Sequence, residues 1–311
     1  MLVPVEERHR QLLESKAPSA NITYADRKAV TAAQVQSAHA IIGNPPVAML
    51  KGATKLEWVQ LQSAGVGAYG EPGALPNGTT LTNASGAYGL AISEYMLGVL
   101  LELIKKLHFY RDQQAEGSWT EHGHVKSIYG STVLVVGLGD IGGEFAQRMK
   151  ALGAYTIGIR RADANKPDYL DELHFMDDLK ALLPRADFVA MSLPSTKLTR
   201  KIINQETLQL MKRDAVLINV GRGDAIDTDA LCDALESGHL LGAALDVTDP
   251  EPLPKEHRLW QMKNAVITPH VSGGDSLPET TERIIRICAN NLEAYVNGKS
   301  LNNVVNLSAG Y

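Results

Sequence analysis

The strongest constraint on the fold is a rhythm between residues 131 and 270, where apolar runs of strand length alternate with amphipathic stretches. The runs are TVLVV, YTIGI, DFVAMSL, AVLINV, GAALDV and AVITPH. Uninterrupted Val, Ile and Leu indicate strands buried on both faces, and strands that alternate with helices indicate a parallel sheet. This part of the chain is therefore predicted to be a doubly wound α/β domain.

The first 85 residues repeat the rhythm more weakly. The strand candidates there are ITY, AHAIIG and LEWVQLQ, with a helix predicted after Thr31 and a break at Pro45 and Pro46. Between the two regions, GAYGLAISEYMLGVLLELIKKLHFYRDQQ contains no proline and is predicted to form one long helix. These patterns indicate a second, smaller α/β unit joined to the first by that helix.

A final helix is predicted in PETTERIIRICANNLEAYVNGK. Its apolar residues recur at helical spacing, and Gly298 supplies a C-terminal stop. These apolar residues are Ile284, Ile285, Cys288, Leu292 and Tyr295. Because one helix cannot form a domain by itself, we expect it to pack on the N-terminal unit.

Composition narrows the class of protein. The 311 residues suffice for two domains, and a net charge of −5 without a basic block argues against a nucleic-acid partner. Cys232 and Cys288 show neither disulfide nor metal spacing, and His122 and His124 lack a third ligand pattern, so no metal site is expected. The longest apolar stretch, YMLGVLLELI, is too short to span a bilayer, and we expect a cytoplasmic protein without membrane contacts.

The first strand of the larger region runs into a glycine turn. The turn is Gly137-Leu138-Gly139-Asp140-Ile141-Gly142, and it follows TVLVV and opens a helix. In a strand, turn and helix, such glycines let the backbone approach a pyrophosphate placed at the helix N-terminus. The turn is predicted to bind a dinucleotide; the alternative is a tight turn without a ligand.

The second strand ends in basic residues. Dinucleotide units that use NAD carry an acid near this position, which accepts hydrogen bonds from the adenosine ribose. Here Arg160 and Arg161 stand instead, and a guanidinium pairs with a phosphate rather than accepting a hydrogen bond. The sequence therefore favours NADP(H) over NAD(H), unless both arginines simply point into solvent.

Three polar candidates follow later strands of the same unit. Arg222 follows LINV, Glu251 follows ALDVTDP, and His270 ends AVITPH. An imidazole has an unperturbed pKa of about 6.5 and can exchange a proton near neutral pH. A carboxylate on its other ring nitrogen favours the protonated form, so Glu251 and His270 are predicted to form an acid–base pair.

Arg222 stands between Gly221 and Gly223. A guanidinium can fork onto a substrate carboxylate and carbonyl oxygen, and the flanking glycines would leave room for cofactor and substrate. The alternative for Arg222 is a structural ion pair.

The whole pattern resembles the D-isomer-specific 2-hydroxyacid dehydrogenase family. The likeness covers nearly the whole chain and is most specific in VVGLGDIGGEFA, LINVGRGDAIDTDAL, GAALDVTDPEPLP and VITPHVSGG. The resemblance implies a flavodoxin-like substrate-binding domain made of residues 1–88 and 275–311. It implies a Rossmann-type dinucleotide-binding domain at residues 89–274, and a homodimer formed largely through the long helix.

The resemblance also implies roles for individual residues. Arg222 would bind the substrate carboxylate and carbonyl, Glu251 would tune the histidine, His270 would be the general acid or base, and Asp246 would contact the nicotinamide carboxamide. The loop QSAGVG would offer the amides of Ala64 and Gly65 to the substrate carboxylate, with an ordinary turn as the alternative. The further cofactor-binding residues expected are Ser192, Leu193, Pro194, Thr199, Asn219, Val220, Gly221, Ser272 and Gly273, with His270 at the reacting end.

The sequence thus predicts an NADP(H)-preferring enzyme that reduces 2-keto acids to D-2-hydroxy acids. A rival prediction is a cofactor-sensing binding protein, because C-terminal-binding-protein corepressors use the same scaffold and fold alone does not decide function. An NAD-dependent member of the family is a further alternative. The side chain of the keto acid and the physiological direction are left open.

Overall fold

The structure, a computed structural model, describes residues 1–161, 165–274 and 277–307. It divides into two compact units, here called the terminal unit (Met1–Tyr88 with Asp275–Tyr311) and the central unit (Gly89–Gly274). The strands in the described residues are β1 (Ala40–Ile42), β2 (Trp58–Gln60), β3 (Thr80–Thr82), β4 (Thr132–Val136), β5 (Tyr155–Arg160), β6 (Glu172–Phe175), β7 (Phe188–Met191), β8 (Ala215–Asn219), β9 (Leu240–Leu245) and β10 (Ala265–Ile267). The α-helices there are α1 (Glu7–Lys16), α2 (Ala32–Ser37), α3 (Val47–Leu50), α4 (Gly89–Ile104), α5 (Leu107–Glu116), α6 (Asp140–Ala151), α7 (Leu179–Leu182), α8 (Gln205–Leu210), α9 (Thr228–Glu236) and α10 (Pro278–Val296).

The central unit is built on a parallel sheet in the order β10-β9-β8-β7-β4-β5-β6. The six strands from β6 to β9 follow the order 3-2-1-4-5-6 of a Rossmann domain, and β10 extends the sheet by one. Strands β4, β7 and β8 are almost entirely buried, as expected when helices cover both faces. The predicted doubly wound, Rossmann-type α/β fold is confirmed, and each of the six apolar runs contains a strand.

Strand β6 was not predicted. Its sequence is ELHF, and it lies at the edge of the sheet with no fully buried residue. The carboxylate of Glu172 binds the guanidinium of Arg185 and accepts hydrogen bonds from His174 Nε2 at 2.7 Å and Tyr155 OH at 2.8 Å. Contacts among polar side chains support this strand. Such contacts leave no apolar pattern in the sequence from which the strand could be predicted.

The single long helix predicted after residue 85 is wrong. The chain forms α4 and α5, separated by Lys106 in the left-handed conformation with φ 59°. The segment around residue 126 comes back to the end of α4, where the Lys126 amide donates to the Ile104 carbonyl at 3.1 Å. Lys105 Nζ in turn donates to the Lys126 carbonyl at 2.7 Å. The first of these bonds satisfies the Ile104 carbonyl at the end of α4 from outside the helix, so the helix ends although no proline is present.

The terminal unit contains a three-stranded parallel sheet in the order β1-β2-β3. The predicted helix after Thr31 is confirmed as α2, because the Thr31 side chain accepts a hydrogen bond from the Gln34 amide. The strand predicted at ITY is wrong: residues 22–24 form no strand, and the Thr23 carbonyl accepts a single hydrogen bond from the Met1 amino group. The third strand is β3 instead.

The predicted C-terminal helix is confirmed as α10, and it belongs to the terminal unit. Gly298, with φ 63°, follows its end as predicted. Asn291 of α10 is fully buried and donates to Gln60 Oε1 at 2.7 Å and to the Asn302 carbonyl at 3.0 Å. This buried polar contact ties the last helix to the sheet of the first residues. None of the helices in the described part of the chain has the length and apolar character needed to cross a membrane.

Candidate active site

The residues singled out by the sequence line up along one edge of the central sheet. Arg222, Glu251 and His270 follow β8, β9 and β10, which are neighbours in the sheet. The glycine turn follows β4, and Arg160 ends β5. In a parallel sheet all carboxyl ends meet at one edge, where ligands of such folds bind. The sheet order therefore places the acid–base candidates towards one end of this edge and the arginine candidates for a phosphate towards the other.

The glycine turn has the backbone geometry that its sequence requires. Gly137 adopts φ 103°, and a Cβ on Gly142 would lie 2.0 Å from the Gly137 carbonyl oxygen. Ser192 Oγ, after β7, donates to that same carbonyl at 2.8 Å. By contrast, a Cβ on Gly139 would meet nothing within 4 Å. Two glycines are thus needed for packing, whereas the middle one faces open space at the start of α6.

Asp140 begins α6, and its carboxylate is used inside the protein. Its Oδ2 accepts a hydrogen bond from the Gly89 amide at 2.8 Å, and a Cβ on Gly89 would lie 2.4 Å from Oδ1. This contact joins the first residue of α4 to the glycine turn. Leu138, the second residue of the turn, packs over Gly158 of β5, where a Cβ would lie 2.3 Å from Leu138 Cδ1.

The two arginines at the end of β5 differ. Arg160 is half-buried; its backbone pairs with β6, but its guanidinium has no hydrogen bond or ion pair within the described chain. Arg161 is exposed and has a partner. Of the two arginines, Arg160 is therefore the one whose guanidinium is available to an anionic ligand within the described chain.

The loop after β7 contains four predicted cofactor residues, and the structure places two of them in the packing of the loop. The Thr199 hydroxyl, which is buried, donates to the Pro194 carbonyl at 2.7 Å and accepts from the Thr196 amide at 2.8 Å. Leu193 is also buried. Ser192 supports the glycine turn as described above.

The turn that carries Arg222 is held by Asn219, the last residue of β8. Asn219 is 1% exposed; its Nδ2 donates to the Arg222 carbonyl at 2.9 Å and its Oδ1 accepts from the Gly221 amide at 3.0 Å. The Arg222 guanidinium makes one hydrogen bond, from Nη1 to the Gly221 carbonyl at 2.6 Å. No carboxylate in the described residues pairs with it, so the ion-pair alternative is not what the structure shows.

Gly221 and Gly223 do not leave room for a ligand, contrary to the prediction. A Cβ on Gly221 would lie 2.5 Å from the Leu193 carbonyl oxygen, and one on Gly223 would lie 2.0 Å from the Thr248 carbonyl carbon. The space next to both glycines is thus filled by the backbone of neighbouring loops rather than kept for a ligand. The glycines let the loops after β7 and β9 close onto the Arg222 turn from both sides.

Glu251 and His270 form the predicted pair. His270 Nδ1 lies 3.0 Å from Glu251 Oε2, and Glu251 Oε1 accepts from the Thr248 amide at 3.1 Å. The side chains are 50% and 38% exposed, so the pair is open to a ligand. His270 Nε2 has no hydrogen-bond partner in the described residues. One ring nitrogen is therefore fixed by a carboxylate while the other is available to a reactant.

Asp246 lies at the end of β9 and is 1% exposed. Its carboxylate accepts hydrogen bonds from Thr268 Oγ1 at 2.6 Å, from the Val271 amide at 2.8 Å and from the Ser272 amide at 3.1 Å, together with one from the Ser272 hydroxyl. The loop that carries His270 and its neighbours Ser272 and Gly273 is thus folded around this carboxylate. Sequence reasoning anticipated Asp246 as a cofactor contact and missed Thr268.

In the QSAGVG loop of the terminal unit, three carbonyls accept hydrogen bonds, whereas two amides have no acceptor in the described residues. Its carbonyls are engaged: Gln62 accepts from Tyr88 OH at 2.6 Å, Ala64 from Asn83 Nδ2 at 2.8 Å, and Gly65 from Ser63 Oγ at 2.8 Å. The amides of Ala64 and Gly65 have no acceptor in the described residues. Turned-out amides beside fixed carbonyls form a concavity suited to an anion. Asn83 was not predicted; an amide side chain just past a strand end was the available signal.

Three features of the central unit suit a bound dinucleotide. The space beside Gly139 is open, the first-turn amides of α6 lack acceptors within the helix, and Arg160 has no partner in the described chain. A pyrophosphate would be held by the glycine turn, and a ribose phosphate by Arg160. Fold and site together define a dinucleotide-binding α/β protein with a candidate acid–base pair at the same edge of its sheet.

Comparison with known proteins also identifies a dinucleotide-binding α/β protein. Residues 97–272 match the family model for the D-isomer specific 2-hydroxyacid dehydrogenase NAD-binding domain. A glyoxylate reductase from Korarchaeum cryptofilum is 31% identical over 266 residues, covering 83% of this chain and 78% of that protein. The chain therefore belongs to the D-isomer-specific 2-hydroxyacid dehydrogenase family, and its central unit contains the family's NAD-binding domain.

Solved structures agree with this assignment. A D-isomer specific 2-hydroxyacid dehydrogenase family protein from Aeromonas salmonicida is similar with a TM-score of 0.85 and 30% identity, over 96% of both chains. A D-isomer specific 2-hydroxyacid dehydrogenase from Xanthobacter autotrophicus, in complex with NADPH and MES, is similar with a TM-score of 0.83 and 26% identity. That match covers 100% of this chain and 98% of the other. These comparisons confirm the predicted family and a nicotinamide cofactor.

Proposed function

We propose that the protein is an NADP(H)-preferring reductase that converts 2-keto acids into D-2-hydroxy acids. The observation that carries the proposal is the pair in which His270 Nδ1 lies 3.0 Å from Glu251 Oε2 while Nε2 has no partner in the described chain. A ring held in this way by a carboxylate can carry two protons and present one of them to a reactant.

When bound, a reduced nicotinamide would supply a hydride for the carbonyl carbon, and the C=O π pair would move onto the carbonyl oxygen. His270 gives its Nε2 proton to that oxygen, so a hydroxyl forms and the ring becomes neutral. Glu251 stabilises the protonated ring before the transfer and holds its orientation. In the oxidation direction, neutral His270 takes the hydroxyl proton back.

Arg222 is assigned to the substrate's negative charge. Its guanidinium has five N–H donors, and only one hydrogen bond, to the Gly221 carbonyl, uses them in the described chain. The free donors can fork onto the carboxylate and the carbonyl oxygen of a keto acid. The same contact polarises the carbonyl that accepts the hydride.

The terminal unit supplies a second carboxylate contact in this proposal. The unbonded amides of Ala64 and Gly65 would donate to the substrate carboxylate, and Asn83 keeps the loop in place through the Ala64 carbonyl. Removing this support with Asn83→Ala should raise KM for the keto acid, with kcat much less affected. Backbone amides read only the carboxylate, which the whole substrate class shares.

The cofactor preference is assigned to Arg160. It is half-buried at the end of β5 without a partner in the described residues, and a guanidinium matches a 2′-phosphate. The similar Xanthobacter autotrophicus protein was solved with NADPH, which supports the same preference. The remaining cofactor contacts expected from the resemblance are part of this proposal.

The test is consumption of NADPH and NADH with glyoxylate, hydroxypyruvate, pyruvate and branched 2-keto acids. The proposal expects turnover with at least one acid, a higher kcat/KM with NADPH, and a D-hydroxy acid on chiral chromatography. Tight binding of NADPH without consumption in any mixture would instead favour the cofactor-sensing binding protein. A clear preference for NADH would reject the Arg160 assignment and leave the enzyme class intact.

A homodimer is also proposed, on the resemblance alone. Light scattering of the purified chain should give the mass of two chains. The mass of one chain at assay concentration would reject it.

A further inference from the structure

The bonds around Asp246 continue beyond the His270 loop. Thr268 Oγ1 lies 2.6 Å from Asp246 Oδ1 and 2.7 Å from the hydroxyl oxygen of Tyr95. The carboxylate can only accept. The Thr268 hydroxyl therefore donates its one proton to Asp246 and must accept a hydrogen bond from Tyr95. The direction is therefore settled: Tyr95 donates to Thr268, and Thr268 donates to Asp246.

Tyr95 is suited to act as a permanent donor. It lies on α4, far from Thr268 in the sequence, and burial raises the pKa of its hydroxyl to about 12. The hydroxyl therefore keeps its proton at any pH used for a dehydrogenase assay. The contact links α4 to the end of β10.

The backbone around His270 depends on the same carboxylate. His270 has φ 53°, a left-handed conformation that a non-glycine residue adopts only when its surroundings impose it. Its amide donates to the carbonyls of Asp246 at 2.8 Å and Thr268 at 3.0 Å. The next two amides, of Val271 and Ser272, donate to the Asp246 carboxylate. The amide and hydroxyl donors of residues 268–272 thus bond to residues at the end of β9.

This arrangement bears on what Asp246 does. A carboxylate offers about four lone-pair positions, and Asp246 accepts four hydrogen bonds from Thr268, Val271 and Ser272. An added donor from a cofactor carboxamide would have to share or displace one of them. In the arrangement observed, the carboxylate acts on the loop that carries the histidine.

We propose that Tyr95 and Thr268 are positioning residues for His270, acting through the Asp246 carboxylate to hold the imidazole against Glu251. The proposal rests on the proposed function, in which His270 transfers the proton. A misplacement of about 1 Å at a reacting group can cost about 100-fold in rate, so a modest loosening of this loop should appear in kcat.

The main variant is Thr268→Val, which keeps the shape and removes the hydroxyl. We expect kcat to fall roughly 10-fold, with the NADPH dissociation constant and KM for the keto acid nearly unchanged. Thr268→Ser keeps the hydroxyl and should restore most of kcat. Tyr95→Phe should lower kcat less, by about 3-fold, because Thr268 can still donate to Asp246.

A matched control is Thr156→Val. Thr156 is fully buried in β5; its hydroxyl donates to the Tyr169 carbonyl at 2.8 Å and lies 3.2 Å from the Asp171 carboxylate. It should lower the melting temperature to a similar degree as Thr268→Val and leave kcat unchanged. Equal losses of kcat in the two variants would overturn the proposal, because they would show a general stability effect.

The order of the hydrogen bonds, from Tyr95 to Thr268 to Asp246, is tested by combining variants. If Tyr95 acts only through Thr268, Tyr95→Phe should have no further effect on kcat in a Thr268→Val background. Additive losses would overturn the proposed sequence of contacts. A loss of NADPH affinity with unchanged kcat would overturn it as well, since the hydroxyls would then serve the cofactor.

A measurement without turnover separates this proposal from the proposed function. The amides of Val271 and Ser272 should exchange hydrogen faster in Thr268→Val than in wild type or Thr156→Val. Unchanged exchange would reject the positioning role. Failure of the wild-type protein to reduce any keto acid would reject the proposed function, and the exchange result would still show whether Thr268 holds the loop.

Discussion

The two ends of the ligand-binding edge of the central sheet are prepared in different ways. At the end formed by β8, β9 and β10, polar side chains bond one another: Glu251 binds His270, and Asp246 binds the loop of residues 268–272. At the end formed by β4 and β5, the space beside Gly139 is open, and Arg160 has no partner in the described chain. The difference indicates that the end proposed for proton transfer is organised in advance, whereas the end with the glycine turn leaves groups free for a ligand. Substitutions at the two ends should therefore change different kinetic parameters.

The largest effect is expected for His270→Ala at the organised end. Loss of a positioned proton donor costs about 10²- to 10⁴-fold in rate, so kcat should fall by about that factor while NADPH affinity stays the same. His124→Ala, at an exposed loop position, is the control and should have wild-type kinetics. Near-normal reduction of several keto acids by His270→Ala would show that the proton comes from elsewhere.

A smaller effect is expected for Arg222→Lys. The charge remains, but an ammonium cannot fork onto carboxylate and carbonyl together, so kcat/KM for the keto acid should fall about 100-fold. Both kcat and KM should change, because the contact serves binding and polarisation. Arg213→Lys, at an exposed position, is the matched control. An Arg222→Lys enzyme with unchanged kcat/KM would remove Arg222 from the substrate site.

At the open end, Arg160→Ser should act on affinity alone. A charged hydrogen bond contributes about 1.5–3 kcal/mol, so KM for NADPH should rise about 10-fold or more, with kcat at saturating cofactor unchanged. KM for NADH, which has no 2′-phosphate, should stay the same, and this difference is the internal control. An equal rise for both cofactors would place the effect on the shared part of the dinucleotide.

The smallest effect is expected at the far edge of the sheet, on β6. The guanidinium of Arg185, with His174 and Tyr155, lowers the pKa of Glu172 to about 2 from 4.5. A carboxyl whose folded pKa is lowered stabilises the fold above its ordinary pKa and loses that contribution as pH falls towards 2. Glu172→Gln should therefore lower the free energy of unfolding by about 1 kcal/mol at pH 7, with the difference from wild type shrinking between pH 4.5 and pH 2.

Urea titrations of both proteins across that pH range measure this effect. Glu206→Gln, which removes an exposed ion pair with Lys180, is the control and should change stability little. A pH-independent difference for Glu172→Gln would mean that packing, rather than charge, holds the edge strand.

The same contrast explains what the sequence could predict. Runs such as TVLVV and AVLINV are buried on both faces, so their strands are visible from composition alone. Strand β6 is supported by Glu172 and Arg185, and the end of α4 is capped by Lys126; contacts between residues so far apart leave no local pattern. Local strand propensity at ITY was misleading because, in the described chain, its backbone bonds to the first residue and to no neighbouring strand.

The candidate site divides along the same line. Arg222, Glu251 and His270 were predictable, because an isolated charged or titratable residue after an apolar strand is unusual. Their supports were not: Tyr95 lies 173 positions from Thr268, and single hydroxyls resemble any other polar residue in a sequence. The role of Gly221 and Gly223 was also hidden, since only coordinates reveal the backbones that pack against them.

All the proton-transfer candidates and the side chains that hold them belong to one segment of the chain, residues 89–274. The loop proposed to read the substrate carboxylate is encoded in the other segment, before residue 89. Chimeras that exchange the terminal segments among family members should therefore change KM for 2-keto acids as a class, while the proposed acid–base pair of the central segment is inherited unchanged. Substrate affinity and the chemical step would then be free to diversify under separate selection.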